Sequence, residues 1–246
     1  MINLIPKKIH YVWIGGPKGN LENICINSWR EKLPDYEIIE WNEDNFDIEK
    51  EIKGKKFLEE CYKRKLWAFI SDYIRLKALY EEGGVYMDTD MQILKDITHL
   101  LDSKNVFFGY EDEKHISAGI IGAVKGQKVF KDLLNFYEKD ILDTELFTIP
   151  KIITKVIEEK YKKIDYNTYE DKIYVYDKQY FYPFSYKEEF SYECIKEDTY
   201  GIHWWGKSWG KKRNYFLESK HLNGPNKLIK YSKIFASNSL VRLKRR

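Results

Sequence analysis

Cysteine and long apolar runs are scarce in this sequence. Its three cysteines, at Cys25, Cys61 and Cys194, form no C-x-x-C pair. We therefore expect neither a disulfide framework nor a structural zinc site, and a reducing cytoplasm fits this usage best. No window approaches the roughly 18 apolar residues of a membrane span, and Met1–Lys8 lacks the apolar core of a signal peptide. These absences predict a protein that is soluble or at most peripheral to a membrane.

Linkers, internal repeats and a charge bias are absent as well. No Pro/Gly/Ser-rich segment divides the 246 residues, and the apolar fraction of 43% can build a core. We therefore expect one catalytic domain with inserted helices. The 42 Lys and Arg residues against 39 Asp and Glu residues give a net charge of +3, too balanced for nucleic acid as the main partner. Aromatic rings are plentiful, and such rings can stack on sugars and bases, although most serve as core residues.

The apolar pattern predicts an α/β fold that begins with a β-α-β unit. A strand over Ile9–Ile14 runs into Gly15-Gly16-Pro17, a helix follows over Leu21–Lys32, and a second strand covers Tyr36–Trp41. This order favours a parallel sheet, in which ligands bind beyond the carboxyl ends of the strands.

The clearest helix covers Lys65–Glu82, with a core stripe of apolar residues and an end at Gly83-Gly84. The segment 161–190 is rich in Tyr and charge and is the hardest to place. Further strands are predicted at 106–110, 119–124, 172–176 and 200–205, and further helices at 128–140, 150–161 and 225–236.

Asp88 and Asp90 are the most informative residues. They follow the apolar stub Val85-Tyr86-Met87. The alternation of a strand would put Tyr86, Asp88 and Asp90 on one face and point Val85 and Met87 to the core. Two carboxylates this close repel each other unless a cation lies between them, and oxygen ligands suit Mg²⁺ or Mn²⁺. The alternative is a solvated turn after an edge strand.

Ser71, Asp72 and Arg75 share or neighbour one face of the Lys65–Glu82 helix. By themselves, Asp72 and Arg75 would be interpreted as an ion pair on the helix surface.

The whole stretch AFISDYIRLKALYEEGGVYMDTD resembles the donor-binding core of the glycosyltransferases with a DXD sugar-binding region, family 32. That family includes bacterial capsule and exopolysaccharide transferases and yeast Golgi mannosyltransferases. The stretch is also similar to the glucosyltransferase domain of the large clostridial toxins. Two further segments, IPKKIHYVWIGG and YGIHWWGKSW, match the family independently and in its order.

The resemblance implies roles for several residues on the donor side. Trp13 would stack on the nucleobase, with Ile14 near the nucleoside. Ser71, Asp72 and Arg75 would hold the sugar and its diphosphate, and Tyr86 would contact the donor. Without the other motifs, Trp13 would be interpreted as a core residue at a strand end.

The resemblance further implies a metal centre. Asp90 would bind a Mn²⁺ or Mg²⁺ ion directly, and Asp88 would contact the sugar or ribose and the metal. His203 would be a metal or phosphate ligand, although a lone His in an aromatic strand is more often a core residue. Ser208 and Trp209 would contact the leaving diphosphate. Lys207 and Lys211 could add charge or could simply be solvated.

The implied fold is α/β of the GT-A type, a Rossmann-like nucleotide-binding sheet with flanking helices, in a single domain over residues 1–246. Residues 5–124 would bind the nucleotide sugar, 125–210 would form the acceptor side and the closing segment, and 211–246 would form a helix and a basic tail. The implied function is a metal-dependent retaining hexosyltransferase. It would use a nucleotide-diphosphate sugar, with UDP favoured, and an oligosaccharide or lipid-linked acceptor in bacterial surface-glycan synthesis.

Two features limit what the resemblance implies. Where relatives often have Asn, this chain has Ile116-Ser117-Ala118-Gly119, so the identity of the donor sugar does not carry over. The basic C-terminus has two readings, attachment to the inner face of an anionic membrane or a solvated tail; its cations are Arg242, Lys244, Arg245 and Arg246.

Two other classes of function compete. Phosphatases of the haloacid dehalogenase kind also place a D-x-D at a strand end, but they normally have Thr or Val where this chain has Gln92, and no later G-D-x-x-x-D motif is present. A non-catalytic sugar-binding protein on a transferase fold is the second alternative. The expected polar positions are filled, which disfavours it.

Overall fold

The computed structural model of the chain describes residues 4–161, 173–206 and 214–243. The predicted β-α-β unit is present. Strand β1 covers Lys8–Val12, helix α1 covers Asn20–Lys32, and strand β2 covers Glu37–Trp41. The two strands are parallel and in register from Lys8 opposite Glu37 to Val12 opposite Trp41. The α/β class expected from the sequence is confirmed at this level.

Most of the other predicted elements are also found; most bounds agree within a few residues, but the helix predicted at 225–236 extends to Leu243. The strands are β3 Gly84–Met87, β4 Met91–Ile93, β5 Val106–Gly109, β6 Ile120–Ala123, β7 Ile173–Tyr176 and β8 Gly201–His203. The helices are α2 Ile48–Ile52, α3 Lys56–Lys63, α4 Trp67–Glu82, α5 Lys128–Asn135, α6 Ile149–Lys160, α7 Tyr215–Ser219 and α8 Gly224–Leu243. The predicted helix 128–140 changes to a π-helical turn over Phe136–Asp140.

The central sheet has the strand order β2-β1-β3-β6-β5-β7. Strand β6 is antiparallel to both β3 and β5, whereas the pairs β1–β2, β1–β3 and β5–β7 are parallel. The parallel sheet that the sequence favours is therefore confirmed for most strand pairs, with β6 as the antiparallel exception. The carboxyl ends of β1, β3 and β5 still meet at one edge, which is the edge where ligands bind in open α/β sheets.

Both faces of β3 are buried. Tyr86 packs into the core cluster that also contains residues of α3, α4, α5 and α6. Val85 and Met87 pack into the cluster on the opposite face, with α1 and β4. Val85 and Met87 face a core as expected; Tyr86, 2% exposed, is buried as well, because helices and loops cover the sheet on both sides.

Two glycines make the tight connection from α4 to β3. Gly83 ends α4 with φ 71°, and its N–H donates to the Leu79 carbonyl. Gly84 has φ 103°, and a Cβ there would lie 2.9 Å from the Lys8 carbonyl oxygen. Only glycine fits this backbone and this contact with β1. The connection fixes where β3 ends and therefore where Asp88 begins.

Four short elements were not predicted: α2, α3, α7 and β4. Strand β4 has three residues and pairs with β8, in a separate two-stranded sheet. All three cysteines are free. Among the described residues, no helix is both long and apolar enough to cross a membrane.

Candidate active site

Asp88 and Asp90 lie in the tight turn that joins β3 to β4. The Asp88 N–H donates to the Gly119 carbonyl at 2.8 Å, and the Met91 N–H donates to the Asp88 carbonyl at 2.9 Å. These bonds anchor the turn to the residue that precedes β6. The carboxylates are therefore held by backbone on both sides rather than projected from a free strand end.

Strand β8 brings His203 to this turn. Its antiparallel pairing with β4 sets His203 opposite Met91. The imidazole Nε2 lies 3.1 Å from Oδ1 of Asp90 and 3.9 Å from Oδ2 of Asp88. One donor atom from each of the three side chains lies within 4.8 Å of the other two. Residues 113 positions apart in the sequence thus form one compact cluster.

The charges in this cluster stabilise one another. Burial alone would raise the pKa of Asp90, but His203 and the Gly206 N–H, which donates to Oδ2 at 2.6 Å, lower it below its usual value. Burial works against a charged His203, yet Asp90 and Asp88 raise its pKa above the ordinary range. The partly enclosed carboxylate and imidazole therefore favour an ion pair when no other cation is bound.

Arg75 is a buried cation that bridges Asp72 and Asp88. Its Nη2 lies 3.1 Å from Oδ1 of Asp72 and 3.0 Å from Oδ1 of Asp88, and its Nη1 donates to the Ala118 carbonyl at 2.8 Å. The guanidinium also lies 4.5 Å from the centre of the Tyr86 ring, a cation–π distance. The spacing alone suggested an ion pair on the helix surface. The pair is present but buried, since Asp72 is 2% and Arg75 6% exposed.

Asp72 and Tyr86 face inward in this structure. The second oxygen of Asp72 accepts a hydrogen bond from the Tyr137 hydroxyl at 3.2 Å, and burial raises the pKa of Asp72 to about 7. The Tyr86 hydroxyl donates to Oδ1 of Asp88 at 3.0 Å. The resemblance implies donor contacts for Asp72 and Tyr86. Those roles stay predictions; in this structure both side chains are almost fully enclosed, and their polar atoms contact other protein groups.

The cluster suits a divalent cation. Two carboxylates and an imidazole are a donor set that hard and borderline divalent ions accept, Mn²⁺ and Mg²⁺ among them. Gly119 keeps space open beside it: a Cβ there would lie 3.5 Å from Oδ2 of Asp88 and 3.3 Å from Cδ2 of His203. The residues present therefore fit the metal that the sequence predicts.

The other predicted donor residues lie along the same sheet edge or beside it. Trp13 directly follows β1, is half-buried, and has Lys18 Nζ 5.9 Å from its ring centre. Ile14 packs against the core cluster that contains Tyr86. Ser71 is half-buried on α4. Because His10 of β1 is opposite Tyr86 of β3, Trp13 and Asp88 leave neighbouring strands at nearly the same level.

Several predicted residues lie outside the described part of the chain. These are Lys207, Ser208, Trp209 and Lys211 of the closing segment and Lys244, Arg245 and Arg246 of the basic tail. The side chain of Arg242 is not described either. Their predicted roles stay predictions.

Sequence reasoning missed residues that support the cluster. Tyr137 lies 65 positions from Asp72, and no local pattern connects the two. Tyr182 belongs to no recognisable sequence motif. Its hydroxyl nevertheless accepts a hydrogen bond from the Ile120 N–H at 3.1 Å, and its ring centre lies 5.5 Å from that of His203. The sequence drew attention to Gly119 only because it ends the segment Ile116-Ser117-Ala118-Gly119, which differs from the family pattern.

Residues 19–107 match the family described as the glycosyltransferase sugar-binding region containing the DXD motif. The chain carries a DXD glycosyltransferase region. Its Asp88-Thr89-Asp90 turn lies inside that region, which confirms the enzyme class expected from the sequence at the level of this domain.

A known relative matches part of the same chain. It is the "Subversion of eukaryotic traffic protein A" of Legionella pneumophila subsp. pneumophila strain Philadelphia 1, which is 32% identical over 35% of this chain. The matched part spans only 17% of that relative's length. The similarity therefore applies to one region of each protein and not to either protein as a whole.

The chain is similar to solved structures of glycosyltransferases. The PaToxG glycosyltransferase aligns with a TM-score of 0.50 at 19% identity, covering 66% of this chain and 71% of that one. The glycosyltransferase GlyE of Streptococcus pneumoniae TIGR4 aligns with a TM-score of 0.47 at 12% identity, over 94% of this chain and 63% of that one. At such identities the likeness to PaToxG shows the fold alone, and it confirms the predicted GT-A type.

Proposed function

We propose that this protein is a metal-dependent retaining hexosyltransferase of glycosyltransferase family 32. It takes a hexose from a nucleotide-diphosphate sugar, with UDP as the favoured nucleotide, and transfers it to a saccharide hydroxyl. The single observation that carries the proposal is the convergence of Asp88, Asp90 and His203, whose donor atoms lie within 4.8 Å of one another inside the DXD glycosyltransferase region.

Asp90 and His203 would hold Mn²⁺ or Mg²⁺, with Asp88 beside them. A bound divalent ion would supply neutralisation of the charge that develops on the departing diphosphate. The roles of the protein groups follow from their contacts. Arg75 and the Tyr86 hydroxyl fix Oδ1 of Asp88, and Asp72 fixes Arg75 in turn. Groups placed in advance of the reaction stabilise developing charge without having to reorganise.

Trp13 and Ile14 would bind the nucleoside at the carboxyl end of β1, with Trp13 stacking on the base. Ser71 would contact the sugar or the diphosphate from α4. Ser208 and Trp209 would close over the diphosphate. Holding the anomeric carbon and the acceptor hydroxyl in contact supplies a large part of the rate, up to roughly 7–11 kcal/mol.

Retention would follow from attack on the face that the leaving group departs from. The bond between the anomeric carbon and the phosphate oxygen breaks as the bond to the acceptor oxygen forms. The acceptor's proton passes to the departing phosphate oxygen. This route requires no protein nucleophile.

The acceptor would be an oligosaccharide or a lipid-linked saccharide in the synthesis of capsule, exopolysaccharide or another surface glycan. Residues 1–246 would act as one catalytic domain in the cytoplasm, with the basic C-terminus at the inner face of the membrane. A second candidate acceptor rests on the Legionella relative, whose name refers to eukaryotic traffic. By that analogy the acceptor would be a molecule of a eukaryotic cell.

A screen of nucleotide sugars tests the proposal. Purified protein with Mn²⁺ should release free hexose from one UDP-sugar in preference to others, and chelation by EDTA should stop the release. Asp90→Asn should reduce the rate at least 100-fold, because it removes the charge that holds the cation. Release of phosphate from simple phosphoesters instead would favour the phosphatase alternative. Neither binding nor turnover of any nucleotide sugar would favour a non-catalytic protein.

A further inference from the structure

Helix α8 packs on the rest of the protein through one of its faces. Ile234 on this face is fully buried, and the Tyr231 ring centre lies 5.5 Å from that of Tyr215 in α7. Nζ of Lys230 lies 3.8 Å from Oε2 of Glu218, which is also in α7. These contacts fix which side of α8 is turned away from the protein.

That opposite side of α8 is an apolar arc. At about 100° per residue, about 120° of the helix circumference holds the neighbouring positions Phe235, Leu228, Ser232, Ala236 and Ile229. Leu228 is 70%, Ile229 52% and Phe235 66% exposed. The Ser232 hydroxyl donates to the Ile229 carbonyl of the same helix at 2.9 Å. Single exposed apolar side chains are ordinary, but a group of them on one helix face marks an interaction surface.

The charge of this part of the chain has one sign. From Gly224 to Arg246 the sequence has seven Lys and Arg residues and no Asp or Glu. The whole chain has 42 Lys and Arg residues against 39 Asp and Glu residues, so the first 223 residues have 35 against 39. The segment that carries the apolar arc is therefore basic, whereas the remainder of the chain is slightly acidic, and an anionic surface attracts only the former.

Two lysines border the apolar arc. Lys233 is exposed and lies about 40° beyond Ile229, and Lys227 is half-buried and lies about 80° beyond Phe235 on the other border. Lysine side chains extend their methylene groups along apolar surface and keep the ammonium group in a polar layer. This order of apolar centre and basic borders is typical of a helix that lies in the plane of a membrane interface.

An anionic bilayer is the partner that matches both the apolar arc and the charge. Nucleic acid offers phosphates to the lysines but no apolar phase to Leu228 and Ile229. A second copy of α8 offers apolar side chains but sets two basic segments against each other, which like-charge repulsion opposes. The bilayer interface offers lipid phosphates and acyl chains together.

We propose that α8 is an interfacial helix that inserts the side chains of Leu228, Ile229 and Phe235 into an anionic bilayer. The inference rests on the proposed function, in which the basic C-terminus lies at the membrane, and adds an apolar contact that salt does not screen. An enzyme held in this way meets a lipid-linked acceptor in the plane of the same membrane.

Co-sedimentation of the full chain with vesicles tests the inference. The vesicles contain phosphatidylglycerol with phosphatidylethanolamine, or phosphatidylcholine alone. Binding is measured at about 0.1 M and about 1 M salt, between which the Debye length falls from about 10 Å to about 3 Å. The variant is Leu228→Ser/Ile229→Ser. The matched control is Leu4→Ser/Ile24→Ser, at apolar residues that are 61% and 57% exposed elsewhere on the surface.

The wild-type protein should bind the phosphatidylglycerol vesicles at both salt concentrations and bind phosphatidylcholine at least tenfold more weakly. Leu228→Ser/Ile229→Ser should weaken binding at least tenfold at low salt and abolish it at high salt, with the melting temperature of the wild type. The control variant should keep the wild-type Kd.

Three results would overturn the proposal: no binding of the wild type to phosphatidylglycerol vesicles, equal binding by the variant and the control, or equal binding to phosphatidylcholine. A dimer that Leu228→Ser/Ile229→Ser dissociates in light scattering, without vesicle binding, would assign the arc to a second copy. Sugar release is measured on the same samples without vesicles, where the variant should keep the wild-type rate. Absence of release by the wild type would contradict the proposed function, whereas vesicle binding is observed independently of it.

Discussion

The guanidinium Nη2 of Arg75 lies 3.0 Å from Oδ1 of Asp88 and joins the buried α4 network to the turn that carries the metal-binding residues. On its other side the same nitrogen contacts Asp72. The carboxylate pair at the strand end is therefore not held by β3 alone. Its geometry depends on a buried cation whose loss would leave Asp72 without its charge partner.

Arg75→Lys should reduce both stability and activity. A lysine ammonium cannot reproduce the fork that reaches Asp72, Asp88 and the Ala118 carbonyl together. Breaking a buried pair typically costs about 3–5 kcal/mol; because lysine keeps the charge, we expect about 2–3 kcal/mol by urea denaturation. The rate of sugar release should fall at least 10-fold. Arg64→Lys, on the exposed pair with Glu60, is the control and should change stability by less than about 1 kcal/mol. Equal effects of the two changes would contradict this role.

Tyr137→Phe tests the far end of the network. The change removes the hydroxyl that donates to Oδ2 of Asp72 and leaves the ring. A buried acceptor without its donor costs about 1–3 kcal/mol, which urea denaturation would detect. If the network positions Asp88, kcat should fall by more than KM rises. A variant with wild-type kcat and lower stability would reduce Tyr137 to a structural residue.

Gly119→Ala tests the space beside the carboxylates. The new Cβ would lie 2.9 Å from the Tyr182 hydroxyl, 3.3 Å from His203 and 3.5 Å from Asp88. We expect Mn²⁺ affinity to fall at least 10-fold in calorimetry, because Tyr182 must move away from the new Cβ and its neighbour His203 must shift as well. Gly19→Ala is the comparison, since a Cβ there meets only the flexible carboxylate of Glu22. Unchanged affinity in Gly119→Ala would place the cation elsewhere.

His10 should make stability depend on pH. Burial lowers the pKa of His10 below its usual value. Both ring nitrogens are engaged, Nε2 with the Gly83 carbonyl at 2.8 Å and Nδ1 with the Trp41 indole N–H at 3.2 Å. The folded state therefore keeps His10 neutral, while the unfolded chain takes up a proton below about pH 6.5. Its contribution is present above that pH and is lost as the pH falls toward the lowered pKa.

The free energy of unfolding should thus fall below pH 6.5 with a His10 component of up to about 1.4 kcal/mol per pH unit. His10→Gln should remove that component and flatten the profile between pH 7 and pH 5. The exposed His99→Gln should keep the wild-type slope. Parallel profiles for the wild type and His10→Gln would show that His10 is charged in the folded protein.

Much of this arrangement could be predicted from the sequence, because its signals are local. Asp88 and Asp90 follow an apolar stub, Gly83-Gly84 marks the end of a long helix, and the segment around His203 matches a family pattern. Each of these signals is contained within a few neighbouring residues. The place of the Asp88 turn follows from the rule that ligands gather at the carboxyl edge of a parallel sheet, whereas His203 reaches it through the pairing of β8 with β4.

The rest depends on contacts that no local pattern records. Asp72 and Arg75 have the spacing of a surface pair, and only the packing of α4 between the sheet and α5 shows that they are buried. Strand β4 is too short for a periodic signal and exists because β8 pairs with it. Tyr137 reaches Asp72 from a π-helical turn, where the helical period on which prediction relies is broken.

The position of the cation is the most direct test of the account. Crystals grown with Mn²⁺ and UDP should give an anomalous manganese peak about 2.0–2.2 Å from a carboxylate oxygen of Asp90 and from Nε2 of His203. Asp90→Asn crystals grown in the same way should lack that peak. Active protein whose manganese peak lies away from Asp88, Asp90 and His203, or shows none, would contradict the central claim.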